Sequence, residues 1–129
     1  IQDSIENVAF PTTNLVISYY TMQFVSPAVR QATFQRIYDS LDWGGAFILF
    51  EKVRGADARF QDYASQIYTE FKIENEFKEE EILNKSKSLK GVMEPFSTAG
   101  NYELLKRAGF VDTTTIFKWV CFEGFLAIK

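Results

Sequence analysis

The sequence predicts an α/β fold built on a parallel βαβ unit, and three observations carry that prediction. Two unbroken apolar runs rich in β-branched and aromatic residues, Asn14 to Tyr20 and Ala46 to Phe50, read as strands buried on both faces. One amphipathic helical stripe lies between them, with short connections at either end. After a long helical insertion the chain closes on a Thr- and aromatic-rich stretch and a short apolar one, the pattern of an antiparallel strand pair.

Each element has a local reason. Pro11-Thr12-Thr13 breaks the chain ahead of the first strand. Ser26-Pro27 then offers an N-cap with Pro at the first helical position. Phe34, Ile37, Tyr38 and Leu41 follow at i, i+3, i+4 and i+7, facing a core, while Arg30, Gln31, Gln35 and Asp39 are expected to face water. Gly44-Gly45 reads as the turn into the second strand, which Glu51 closes. Two strands joined through a helix should be parallel, with a right-handed crossover. From Ala56 to about Lys90 the pattern is helical, first through Phe60, Tyr63, Ala64, Ile67 and Phe71, then through Ile82, Leu83 and Leu89. The charge run between them, five Glu from Glu74 to Glu81 followed by Lys85, Lys87 and Lys90, reads as a solvated helix face. Ser97 or Thr98 can cap a further helix, Tyr102 to Ala108, that stops at Gly109 in the C′ position. Phe110 to Val120 and Gly124 to Ile128 are the closing pair.

Composition bounds the chemistry. At 129 residues, 47% hydrophobic and 24% charged, the chain is expected to form one domain over residues 1–129 with a real core. Thirteen Phe, six Tyr and two Trp imply a deep core, or a core plus an interface. No apolar run approaches the roughly 20 residues of a membrane span, and no basic-then-apolar leader opens the chain, so a soluble protein with no membrane partner is expected. There is no His and a single Cys, Cys121, which excludes Ser-His and Cys-His catalysis and His- or Cys-built zinc sites; no metal is expected. The lone thiol reads as a small buried hydrophobe and fits a reducing cytoplasm. A net charge of −3 supplies no global basic field for nucleic acid. The chain opens at Ile1 rather than Met, as a processed or excised piece would.

No glycine pattern cradles a phosphate: Gly44-Gly45 precedes a strand, whereas such glycines follow a strand and open a helix. The more informative place is the carboxyl end of the strands, where open α/β sheets bind ligands. Ser18, Tyr19 and Tyr20 stand there, and Glu51 ends the second strand at the same edge. Equally, the tyrosines could cap the core with their hydroxyls in water. Trp43 and Trp119 read as packing anchors. Nothing in composition or spacing specifies a reaction, and no catalytic residue is assigned.

Several strings nevertheless have a family likeness. Thr21-Met22-Gln23-Phe24 after a strand, Ile37-Tyr38, Leu41, Gly44-Gly45-Ala46 and Glu51-Lys52 resemble the second half of a class I S-adenosylmethionine-dependent methyltransferase. Within that group they are most similar to the carboxy-S-adenosylmethionine synthase family, which acts in tRNA wobble-uridine modification. Phe71-Lys72, Gly91-Val92-Met93, Ala108-Gly109-Phe110 and Leu126 to Lys129 extend the likeness in register to the last residue.

The resemblance implies the C-terminal half of a Rossmann-like methyltransferase sheet: a parallel βαβ unit, a helical insertion and a closing antiparallel pair, the last four strands of seven. It implies S-adenosylmethionine as cofactor in the full-length protein. The glycine-rich loop and the acidic residue that grips the cofactor ribose would lie before this chain. Ile1 would follow the adenine-side Asp, Asp3 would be a nearby acidic position, and Tyr19 falls where the family has a cofactor-contacting Asn. Ser86, between Lys85 and Lys87, falls where the family has an Arg that holds a carboxylate, and Tyr20 joins it on the substrate side. A neutral Ser cannot form that charge-assisted pair, so ordinary S-adenosylmethionine fits better than its carboxylated form. The expected whole is a methyltransferase whose helices from Ala56 to Lys90 form a substrate lid, with this chain alone inactive and self-associating as a homo-oligomer such as a dimer. The alternative is a non-catalytic α/β association module.

Overall fold

The computed structural model describes residues 3–129. Its elements are β1 (Thr13–Tyr19), a 3₁₀ turn (Met22–Phe24), α1 (Pro27–Ser40), β2 (Leu41–Lys52), α2 (Ala58–Glu74), α3 (Glu79–Leu89), α4 (Thr98–Ala108), β3 (Asp112–Trp119) and β4 (Phe122–Ile128). The four strands form one sheet in the order β1-β2-β4-β3. β1 and β2 pair in parallel, with Ile17 opposite Ile48 and Tyr19 opposite Phe50. β4 runs antiparallel to both β2 and β3. The βαβ unit, the helical insertion and the closing antiparallel pair are therefore all present.

The core sits on one face of this sheet, under α1 and α4. Phe47 and Leu49 point inward from β2 and Phe125 and Ala127 from β4, meeting Phe34 and Ile37 of α1 and Leu104 and Leu105 of α4. Phe47 is central, edge-on to Phe34 at 5.6 Å and stacked on Phe110 at 6.0 Å between centroids. α4 begins at Thr98, earlier than the periodicity predicts, because Ser97 caps it by accepting the Gly100 N–H at 3.1 Å. Gly109 ends it at φ +114°, and the Tyr38 ring lies 2.8 Å from where a side chain would begin.

Several expectations are corrected. β1 is not buried on both faces: Ser18 is buried, but Leu15, Ile17 and Tyr19 are 47%, 58% and 67% exposed, since no helix covers that face and no strand lies beyond β1 among the described residues. β2 starts at Leu41, and the glycine pair lies inside it. Gly44, at φ +78°, donates to the Lys129 carbonyl and Gly45 accepts from the Lys129 N–H, so the pair is a bulge that places Thr13 opposite Leu41 but Leu15 opposite Ala46. Trp43 on this bulge anchors nothing; it is 89% exposed. Ser26 occupies the N-cap position of α1 without a capping side-chain bond. Arg30 does not face water but is buried, one turn ahead of Phe34 on the core stripe, and Gln31 is half-buried against the Leu104 carbonyl.

α2 and α3 follow the predicted spans, yet neither buries a residue. Their apolar stripes, including Phe60, Tyr63 and Ile67, stay about half exposed. Asp57 caps α2 through the Phe60 N–H, and at the start of α3 the Glu81 carboxylate accepts the Lys78 N–H at 3.0 Å. No helix among the described residues is long and apolar enough to cross a membrane.

Candidate functional site

The carboxyl end of β1 is shaped by backbone strain and by three buried polar side chains. Tyr20 leaves the strand in the left-handed region at φ +52°, an unfavourable conformation for an aromatic residue. Its N–H donates to the Phe50 carbonyl at 2.8 Å, which ties the strand exit to β2. The chain then turns tightly through Met22–Phe24, and Glu51 accepts the Met22 N–H at 3.0 Å. Gln23, also buried, accepts the Lys52 N–H at 2.7 Å through its side chain, and its carbonyl accepts the Glu94 N–H at 2.8 Å. Arg30 donates to the Val25 carbonyl through Nε and Nη2 and to the Glu94 carbonyl through Nη1 at 3.0 Å, lying 4.3 Å over the Phe96 ring. Strand exit, turn, helix start and the segment before α4 are thus one cross-linked unit.

The electrostatics of this unit are set by burial. Removal from water pushes the Glu51 carboxyl up to about 7, against the lowering effects of the Met22 and Gln23 amides and the Arg30 charge. Burial also raises the Tyr20 phenol, with the neighbouring Tyr19 adding to it.

Beside the unit opens a cleft of about 1070 Å³, walled by the turn on one side and by α2 and α3 on the other. Its aromatic floor is made by Tyr68, Phe71 and Phe122, and Trp119 backs Phe71 at 4.7 Å. Lys52 enters from the end of β2 and Lys72 from α2, their ammonium groups 5.1 and 4.5 Å from the centroid of the same Tyr68 ring. Lys85, Ser86 and Lys90 of the α3 region line the opposite wall.

The sequence-predicted residues are only partly brought together. Ser86 lines the cleft and Tyr20 borders it, 5.6 Å from Phe122 between ring centroids. Tyr19 stands on the open sheet face, edge-on to Tyr20 at 4.6 Å. Asp3 is exposed and bonds locally, accepting from the Ser4 N–H and Asn7 Nδ2. It shares no hydrogen bond with Tyr19, and Ile1 lies outside the described residues. Cys121 is buried, as expected.

Gln23, Arg30, Lys52 and Lys72 were not identified as site residues by sequence reasoning. Signals for them exist: Arg30, Phe34 and Ile37 stand at i, i+4 and i+7, and Lys52 and Lys72 each directly follow a residue at the end of an apolar pattern.

No family model matches the chain. It is 38% identical over 129 residues to the carboxy-S-adenosyl-L-methionine synthase of Staphylococcus epidermidis, covering all of this chain and 57% of that protein. The Campylobacter lari protein of the same name is 32% identical over 128 residues, 99% of this chain and 55% of the relative. The chain thus spans about half the length of the curated relatives it matches. Among solved structures, the S-adenosylmethionine-dependent methyltransferase SibL superposes with a TM-score of 0.68 at 16% identity, over 98% of this chain and 34% of that one. Human N-acetylserotonin methyltransferase, in complex with SAM, superposes with a TM-score of 0.63 at 16% identity, over 100% of this chain and 33% of its own. The α/β fold is that of S-adenosylmethionine-dependent methyltransferases.

Proposed function

We propose that this chain, similar along its whole length to carboxy-S-adenosylmethionine synthases, is the C-terminal part of an S-adenosylmethionine-dependent methyltransferase. The observation that carries the reading is the coincidence of two alignments: collinear identity of 38% over all 129 residues, and a methyltransferase-like sheet in which the parallel βαβ unit is followed by a reversed strand pair.

The cofactor is S-adenosylmethionine, and the residues described fit one side of it. Tyr19, exposed at the carboxyl end of β1, would contact it, and the family resemblance assigns Ile1 and Asp3 to the same cofactor. Beside Tyr19, the Ser18 hydroxyl is buried without a hydrogen-bond partner. When bound, the cofactor supplies a methyl group on a sulfonium. The work left to this chain is alignment and exclusion of water: the strained Tyr20 exit and the Glu51–Met22 bond fix the turn, and the aromatic floor under α2 and α3 seats the acceptor next to it. Ser86 and Tyr20 would contact that acceptor. A neutral Ser86 favours the ordinary cofactor over its carboxylated form, since no Arg fork is offered there.

The proposal extends to the whole protein acting in tRNA modification, from the family resemblance of its sequence, in the cytoplasm, from its lone buried thiol, and as a homo-oligomer, from the uncovered face of β1. The second reading, a non-catalytic association module, is favoured by one observation, the uncovered apolar face of β1. Calorimetry separates them. The 129-residue chain alone should show no methyl transfer and only weak binding of S-adenosylmethionine, whereas a polypeptide extended upstream of Ile1 through a strand and glycine-rich turn should bind it tightly. Micromolar binding by the chain alone would overturn the division of the site, and an upstream sequence without that strand and turn would favour the association module.

A further inference from the structure

The cleft concentrates positive charge in a chain whose net charge is −3. Lys52, Lys72, Lys85, Lys87 and Lys90 all line it, against a single acidic residue, Glu81. Glu81 is already engaged, accepting the Lys78 N–H at the start of its own helix. Among the described residues the one ion pair is Lys118–Glu123, on β3 and β4, so none of the cleft lysines has a carboxylate partner.

Lys52 and Lys72 are the pair that matters. Lys72 stands one helical turn after Tyr68 on α2, and Lys52 reaches the same ring from the end of β2, each lysine half-buried. Two ammonium groups so placed repel each other, and burial together with the Lys52 charge pulls the Lys72 ammonium below its ordinary value. The i, i+4 spacing accounts for Lys72 over Tyr68 but not for the second cation beside it, since Lys52 could extend into water as most surface lysines do. A ligand bearing about two negative charges would offset both. On one group, a phosphate monoester carries about −1.5 to −2 at neutral pH, a charge that takes two carboxylates to match. The apolar floor of Tyr68, Phe71 and Phe122 suits an organic group attached to it.

From these observations we propose that the cleft is a binding site for a small organic phosphate monoester, its phosphate held between Lys52 and Lys72 and its organic part seated on the aromatic floor. Calling that ligand the acceptor substrate rests on the methyltransferase reading above; the binding site itself does not.

Phenyl phosphate, benzoate and inorganic phosphate are the probes, titrated against the 129-residue chain with Trp119 fluorescence and calorimetry as readouts. No S-adenosylmethionine is added, so the result is independent of the cofactor assignment. Phenyl phosphate should bind saturably and at least tenfold more tightly than benzoate, and more tightly than inorganic phosphate. Lys52→Gln and Lys72→Gln should each weaken it about tenfold, while Lys106→Gln, at an exposed position of α4, should leave it unchanged. Thermal melts superimposable on the parent would show that the variants are folded. Absence of saturable binding, equal affinity for benzoate, or unchanged affinity in both folded lysine variants would each overturn the proposal.

Discussion

The Met22 amide and the Glu51 carboxylate, 29 positions apart in sequence, meet at 3.0 Å with both residues buried. Through this bond the end of β2 holds the turn that follows β1, directly beside the strained Tyr20. Burial raises the proton affinity of that same carboxylate, so the bond that shapes the site is also its most pH-sensitive element.

The sign of the pH effect follows from linkage. Glu51 sits near 7 in the folded chain against an ordinary value of 4.5, so the folded state binds the proton more tightly than the unfolded one. Its contribution to stability is therefore complete below about pH 4.5 and is lost as pH rises through 7, a swing on the order of 3 kcal/mol. Glu51→Gln keeps an acceptor for the Met22 N–H without the charge. Urea midpoints at pH 5 and pH 8 should show a flatter profile for the variant and greater stability than the parent at pH 8. Parallel profiles would show that Glu51 does not titrate in this window.

Arg30 supports the same unit from the helix side. Its guanidinium satisfies the Val25 and Glu94 carbonyls and is the cation acting on Glu51. Arg30→Met keeps much of the stem but orphans both carbonyls, and should cost about 3 kcal/mol. It should also move the Glu51 transition to higher pH. Arg30→Lys should recover only part of the loss, because a point charge cannot reproduce the planar fork. An Arg30→Lys variant as stable as the parent by denaturant titration would show that the fork contributes nothing.

The glycine bulge sets a steric limit. A side chain at Gly45 would start 2.8 Å from the Asp42 carbonyl oxygen and 3.2 Å from that of Asn14, both backbone atoms that cannot swing aside. Gly45→Val should therefore cost several kcal/mol, about the cost of overpacking a core. Trp43→Ala, at a solvated ring, should stay within about 0.5 kcal/mol. Denaturant midpoints in the reverse order would contradict the bulge geometry.

How legible all this was in the sequence depended on the range of the interaction. The βαβ unit and the closing pair were readable because strand and helix periodicity are local signals, as in Phe34 and Ile37 or in Ala46 to Phe50. Gly109 was readable because a C′ glycine obeys a local rule. Arg30 was misread for a physical reason: residue type argued for water, position on the stripe argued for the core, and its carbonyl partners at Val25 and Glu94 are fixed only by tertiary folding. Glu51 was placed at the right edge, but its raised proton affinity is a property of burial. Lys72 stands one helical turn after Tyr68 on α2, a pairing legible in the sequence, whereas only tertiary folding carries Lys52 to that ring.

The open edge of the sheet bears on association. β1 is hydrogen-bonded to β2 on one side and to no strand on the other among the described residues, and its outward face presents Leu15, Ile17 and Tyr19 next to Ile48 and Phe50. From Asp3 on, the N-terminal segment does not shield this edge by strand pairing. Arg36 of α1 instead holds the carbonyls of Ile5, Glu6 and Val8, and Ile5 and Phe10 pack against the core cluster. An apolar edge strand with free backbone groups recruits a partner. The chain should therefore self-associate with rising concentration, and Ile17→Lys, which places a charge on the open face without touching the core, should return it to a monomer. Light scattering over a concentration series checks this. A parent chain that stays monomeric at high concentration while its Leu15 to Tyr19 amides resist exchange would mean that something within the chain already covers the edge.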